Sequence, residues 1–140
     1  MHMTRHESRE LAFVLLFEKS FQNAPVKEIL LSAGEARDVE ENAFALSLAA
    51  GTEEHWEEID DIIASCSHKW NKERITRVAM SIMRLAVYEM KYLDDIPVSV
   101  SINEAVDLAK TYGGEDDPAF VNGVLGGVAR KADPVQSEGT

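Results

Sequence analysis

The stretch IPVSVSINEAVDLAKTYGGEDDPAFVNGVL, Ile96 to Leu125, decides the fold. Val98, Ile102, Ala105, Val106 and Ala109 recur at steps of three and four through to Tyr112, the period of one buried helix face. Gly113-Gly114 stops that helix. Asp116 or Asp117, ahead of Pro118, starts another whose inward side is Phe120 or Val121, Val124, Leu125 and Val128. The stretch therefore reads as two helices joined by a short acidic turn. Ser101-Ile102-Asn103-Glu104 has the form of a capping box, so Ser99 or Ser101 is the expected cap of the first helix.

Working outward, Lys72 to Tyr92 is the most apolar segment, with Ile75, Val78, Ile82, Leu85 and Val87 at helical spacing. It is predicted to be the central helix, capped by Asn71 after a turn at Lys69 to Asn71 and stopped before Pro97. Arg5 to Phe21, capped by Thr4, carries apolar residues around most of its circumference. Val26 to Ala33 reads as a short helix ended by Gly34. Asp38 is expected to cap a segment that buries Phe44, Leu46, Leu48 and Ala49 and ends near Gly51, and Glu53 to His68 follows with Trp56, Ile59, Ile62 and Ile63 on its inner side. The one alternating stretch, Val98 to Ile102, runs into helical spacing. The chain is predicted to be all-α, with six or seven helices and a division near Lys69 to Asn71.

At 140 residues the chain suits one domain with a self-sufficient core. We place that domain at 3–131, as sub-bundles 3–69 and 70–131, with a polar, frayed tail over 132–140. Met1-His2 reads as an addition ahead of a natural start at Met3. No apolar run approaches the length of a membrane span, and the N-terminus lacks the order of a secretory signal, so a cytoplasmic protein is expected. Cys66 is the only cysteine, which excludes an intramolecular disulfide. The net charge of −11 argues against coating duplex DNA by charge alone. Sign is nevertheless segregated: Gly34 to Asp61 holds ten acidic residues against Arg37, while Cys66 to Tyr92 holds six Lys and Arg against Glu73 and Glu89.

Nothing here has the spacing of a catalytic or cofactor site. Cys66 and His68 point to different sides of a helix, no histidine pair has zinc spacing, and the glycines form neither a phosphate loop nor a dinucleotide fingerprint. A binding module without enzyme activity, metal or cofactor is expected. Asn103, Glu104 and Asn122 read chiefly as helix-to-helix hydrogen bonds. Tyr112 and Phe120 flank the acidic turn and read equally as core rings or as stacking platforms for unpaired bases. Arg84, set amid apolar residues, requires a partner such as Glu89 or a carboxylate of another helix.

These residues carry a resemblance. The order and spacing of Arg9-Glu10-Leu11-Ala12, Met83-Arg84-Leu85-Ala86 with Tyr88-Glu89, Ile96-Pro97, Ile102-Asn103-Glu104-Ala105-Val106 and Phe120-Val121-Asn122-Gly123-Val124-Leu125 resemble the NusB family of bacterial transcription antitermination factors, over Arg5 to about Arg130. The resemblance implies a NusB-like fold of two small helical sub-bundles, about seven helices in all, and no catalysis. It implies binding to boxA RNA of nascent ribosomal RNA transcripts together with NusE, a small-subunit ribosomal protein, in an antitermination complex on RNA polymerase. By position, Arg5, His6, Arg9, Tyr112, Asp116 and Phe120 fall where the family meets RNA, Arg84 and Glu89 on the partner side, and Asn103, Glu104, Asn122 and Gly123 among structural positions. The N-terminal arginine run of many members is reduced here to Arg5, His6 and Arg9, and Ala119 stands where several relatives carry a basic residue. Weak RNA binding alone, strengthened by NusE, is therefore expected. The alternative is a protein-interaction module, with self-association as a homodimer masking a weak RNA surface.

Overall fold

The computed structural model describes residues 3–32, 42–70 and 72–132, which form seven α-helices and no strand. They are α1 (Arg5–Lys19), α2 (Val26–Leu30), α3 (Ala43–Glu54), α4 (Trp56–Cys66), α5 (Arg77–Tyr92), α6 (Val98–Tyr112) and α7 (Asp117–Ala132). The expected helix end at Gly34, the Asp38 cap, the Asn71 cap and the tail lie outside the described residues.

α1 opens with a reciprocal cap: the Thr4 hydroxyl accepts from Glu7 N at 3.0 Å, and the Glu7 carboxylate accepts from Thr4 N at 2.9 Å. Two orphan donors at the helix start are thereby satisfied. Ala12, Phe13, Leu15 and Leu16 are buried, but α1 ends before Phe21, which is exposed under the Arg77 guanidinium. α5 is the hub, packing against α1, α3 and α4 as well as α6 and α7. Ala79, Ile82, Met83, Leu85, Ala86 and Val87 bury most of its circumference, and the core residues of all seven helices join one hydrophobic cluster.

Four local expectations are corrected. α5 begins at Arg77, not Lys72: Lys72–Arg74 forms a single 3-10 turn, and the Thr76 hydroxyl supplies the cap by accepting from Ala79 N at 3.0 Å. α6 begins directly after Pro97 without a side-chain cap, because Ser101 lies inside the helix and donates instead to the buried Glu89 carboxylate at 3.0 Å. α3 runs through Gly51, which accommodates a close approach rather than a stop; a Cβ there would lie 2.2 Å from Cζ of Tyr88. The segment Glu53 to His68 is broken at His55, so that α4 starts at Trp56.

The α6–α7 turn is held by one carboxylate. Asp117 accepts from Gly114 N and from the Thr76 hydroxyl, both at 3.0 Å, joining the starts of α5 and α7. A Cβ at Gly113 would lie 2.7 Å from that carboxylate and 2.8 Å from the Ala109 carbonyl, so close approach demands glycine here. Among the described residues no helix is long and apolar enough to cross a membrane.

Candidate nucleic-acid interface

α1 runs beside α6: its first turn faces Glu104 and Asp107, while Glu10 and Phe13 face Tyr112 at the end of α6. Tyr112, 42% exposed as a residue, ends α6 with its ring 5.0 Å, centroid to centroid, from Phe13 of α1. Its hydroxyl donates to Glu10 Oε2 at 2.8 Å, and that bond raises the phenol pKa. One turn earlier, His6 Nδ1 lies 3.3 Å from Glu104 Oε2 and 3.9 Å from Asp107, both on α6, and Nε2 lies 3.7 Å from Glu10. The hydrogen bond to Glu104 raises the imidazole pKa above its ordinary value; desolvation opposes it, and the charges of Glu104, Glu10 and Asp107 add to it. Arg5 is exposed and lies flat over Phe44, its guanidinium carbon 3.7 Å from the ring centroid. Asp116 is exposed at the turn.

Arg9 is not part of that surface. It is only 4% exposed, and its Nε and Nη2 reach both oxygens of Glu89 at 2.9 to 3.1 Å while Nη1 reaches Glu104 at 3.3 Å. Burial opposes its charge, but the bonds and charges of Glu89 and Glu104 outweigh that cost and raise its pKa further. Glu89, 1% exposed, is thereby consumed inside the protein and cannot serve as the expected partner contact. Phe120 is 7% exposed and belongs to the core; the sequence left both readings of this ring open, and helix α7 turns it inward.

Its neighbour Trp70 does reach solvent, 42% exposed, standing edge-on to Phe120 at 5.0 Å. The sequence reading treated Trp70 as part of a turn. A tryptophan in a turn flanked by Lys69 and Arg74 was the available signal.

Asn103 and Asn122 face solvent, and the α6–α7 contact is apolar, built on Ala105, Leu108 and Ala109 against Val121, Val124, Leu125 and Val128. Of the four positions read as structural, Glu104 makes inter-helix bonds, whereas a Cβ at Gly123 would meet Cζ2 of Trp70 at 3.4 Å, an ordinary contact. His6, Glu104 and Asp107 are also the group of metal-competent donors among the described residues, their ligand atoms within 4.8 Å of one another. Glu104 is already shared between His6 and Arg9, which makes the arrangement an ion network.

On another face, Arg84 pairs with Asp60 rather than Glu89, through Nε at 2.7 Å and Nη2 at 3.1 Å, and its guanidinium carbon lies 4.0 Å from the Trp56 ring centroid. A groove of about 760 Å³ beside it is lined by Lys19, Glu53, Trp56, Arg77 and Arg84. Next to this groove Glu58 accepts from Lys91 and from the Tyr92 hydroxyl, which pushes the Tyr92 pKa up to about 12.

The model of the NusB family matches residues 6–130. The chain is 45% identical over 123 residues to the transcription antitermination protein NusB of Geobacillus kaustophilus, covering 88% of this chain and 93% of that one. It is 41% identical over 128 residues to the protein of the same description from Geobacter sulfurreducens, covering 89% and 93%. Among solved structures it is similar to T. maritima NusB, with a TM-score of 0.82 and 34% identity over 94% of each chain. It is also similar to a chain in a crystal structure of antitermination factors NusB and NusE in complex with double-stranded RNA, with a TM-score of 0.78 and 27% identity, over 92% of this chain and 99% of that one.

Proposed function

This chain belongs to the NusB family, non-catalytic transcription antitermination proteins, and from that premise we propose that it binds boxA RNA of nascent ribosomal RNA transcripts together with NusE. It would do so in the cytoplasm, as part of an antitermination complex on RNA polymerase. The RNA-facing residues are Arg5, His6, Tyr112 and Asp116. The observation that supports this reading is the approach of α1 to α6, where the exposed Tyr112 is hydrogen-bonded to Glu10 and His6 is faced by Glu104. Unpaired bases stack on such rings while cations meet the phosphates.

NusE is assigned to the face along α4 and α5 that carries the groove beside Arg84. That groove offers both signs of charge over an aromatic floor, which suits a protein surface better than a phosphate chain. Because Arg9 is internal, few cations remain for phosphates, and RNA affinity of the chain alone should be low.

The test is a titration of boxA RNA and a scrambled RNA, with and without NusE, at two salt concentrations. Binding should be sequence-preferring, weaker at high salt and stronger with NusE. Equal and salt-insensitive binding to both RNAs in every condition overturns the reading.

A further inference from the structure

The ion network between α1 and α6 has a second capacity, one that does not depend on RNA. α1 packs its backbone on α2, α3 and α5, and α6 packs on α5 and α7, so side chains join the two helices on this side. Each helix brings two metal-competent groups one turn apart: His6 and Glu10 on α1, Glu104 and Asp107 on α6. His6 Nδ1 lies 3.3 Å from Glu104 Oε2 and 3.9 Å from Asp107 Oδ2, and these three atoms lie within 4.8 Å of one another. Bonds of about 2.0–2.2 Å around tetrahedral zinc set its nitrogen and oxygen ligands roughly 3.3–3.5 Å apart. Rotation of the exposed Asp107 side chain covers the remaining distance.

The contacts behind these atoms are those a bound cation needs. Arg9, itself buried, holds Glu104 through Oε1 at 3.3 Å and leaves Oε2 directed at His6. Glu10 faces the other ring nitrogen of His6, Nε2, at 3.7 Å, the place of the carboxylate that fixes the tautomer of a metal-bound imidazole. Glu10 is held in turn by the Tyr112 hydroxyl at 2.8 Å. Among the described residues no lysine or arginine forms an ion pair with Asp107, whose charge is left to His6.

We propose that His6 Nδ1, Glu104 Oε2 and Asp107 Oδ2 form a site for one divalent transition-metal ion of the class of zinc, with water completing its coordination. One imidazole and two carboxylates suit zinc better than magnesium, which asks for oxygen ligands in an octahedron, and without a thiolate the site does not select a soft ion such as copper(I). Coordination uses the lone pair of Nδ1, so a proton carried there passes to solvent while Nε2 keeps its hydrogen toward Glu10. The ion ties the first turn of α1 to the middle of α6, the same link that the imidazolium makes when His6 is protonated. His6 and Glu104 are 98 residues apart along the chain, so no local spacing in the sequence announces the site.

The test titrates the full chain, stripped with a chelator and free of RNA, with zinc chloride in a calorimeter near neutral pH. One zinc per chain should bind, and magnesium chloride at the same concentration should not displace it. His6→Gln and Asp107→Asn each delete a ligand and should abolish that binding, while His68→Gln, at a histidine that contacts the Ser65 carbonyl instead, should leave it unchanged. Glu10→Gln keeps all three ligands and should weaken zinc about 10- to 100-fold. Zinc should also shift the ring-nitrogen resonances of His6 in the wild type, a readout that needs no variant should one fail to fold by circular dichroism. Zinc binding that survives His6→Gln, one zinc per two chains with dimer formation, or no zinc binding by the wild type each overturns the proposal. Because every arm is run without RNA, failure here leaves the RNA reading standing, and failure of that reading leaves the metal site standing.

Discussion

Arg9 of α1 and Glu89 of α5, 80 residues apart, meet in a buried, forked ion pair in which Nε and Nη2 contact both carboxylate oxygens. Ser101 adds a third donor to the same carboxylate, and Glu104 takes the remaining guanidinium nitrogen. Every buried side-chain polar atom among the described residues has a partner, this network included. Removing one member strands the other in a medium of low polarity. Glu89→Ala or Arg9→Ala should each cost about 3–5 kcal/mol in urea unfolding. Replacing both by apolar residues of similar volume should recover most of that loss, and equal destabilisation by the double replacement would count against this account.

His6 titrates in a setting that favours its proton, faced by Glu10 from its own helix and by Glu104 and Asp107 from α6, with Arg9 touching Glu104 from the far side. Its folded pKa is raised above 6.5, so its contribution to stability is complete below 6.5 and is lost as pH rises through the higher folded value. The imidazolium also adds a cation to a surface short of them. RNA affinity should therefore be greater at pH 6 than at pH 8, and His6→Gln should abolish most of that difference in a fluorescence anisotropy titration.

Gly51 leaves no room for a methyl group beneath the Tyr88 ring. Gly51→Ala should destabilise by about 1–3 kcal/mol through overpacking, although alanine is the better helix former. A thermal melt measures it, and an unchanged midpoint would mean that the ring shifts freely.

Phe120→Ala removes a buried ring and should cost about 3–5 kcal/mol in denaturant unfolding.

Arg84→Ala deletes the bidentate contact to Asp60 and the stack on Trp56. Affinity for NusE, followed by calorimetry, should fall, while the RNA affinity of the chain alone stays within about twofold of wild type.

The longer helices were legible because their apolar residues repeat at steps of three and four, as Val78, Ile82 and Leu85 do in α5. The caps were less so. Ser101 has the sequence of a cap but serves Glu89, and only the tertiary arrangement brings that carboxylate to it. Gly51 looked like a stop because glycine is a poor helix former, whereas its function depends on Tyr88, far along the chain. The same limit governs the site. Arg5, His6 and Tyr112 could be picked out as polar or aromatic residues near chain turns, and they do reach the surface. Arg9 and Phe120 are indistinguishable from them by residue type, and helix phase alone sends them inward, the one to Glu89 and the other to Trp70.

The Arg9–Glu89 pair has a consequence for synthesis. A chain emerging from the ribosome presents Arg9 well before residue 89 exists, and residues are added at roughly 5–20 per second. For several seconds the first helix carries a charge whose counterpart has not been made, on a face that the finished protein keeps dry. The N-terminal half cannot settle into its final packing during that interval. Completion waits for α5, and the last step in ordering the first helix is set by the helix that arrives fifth.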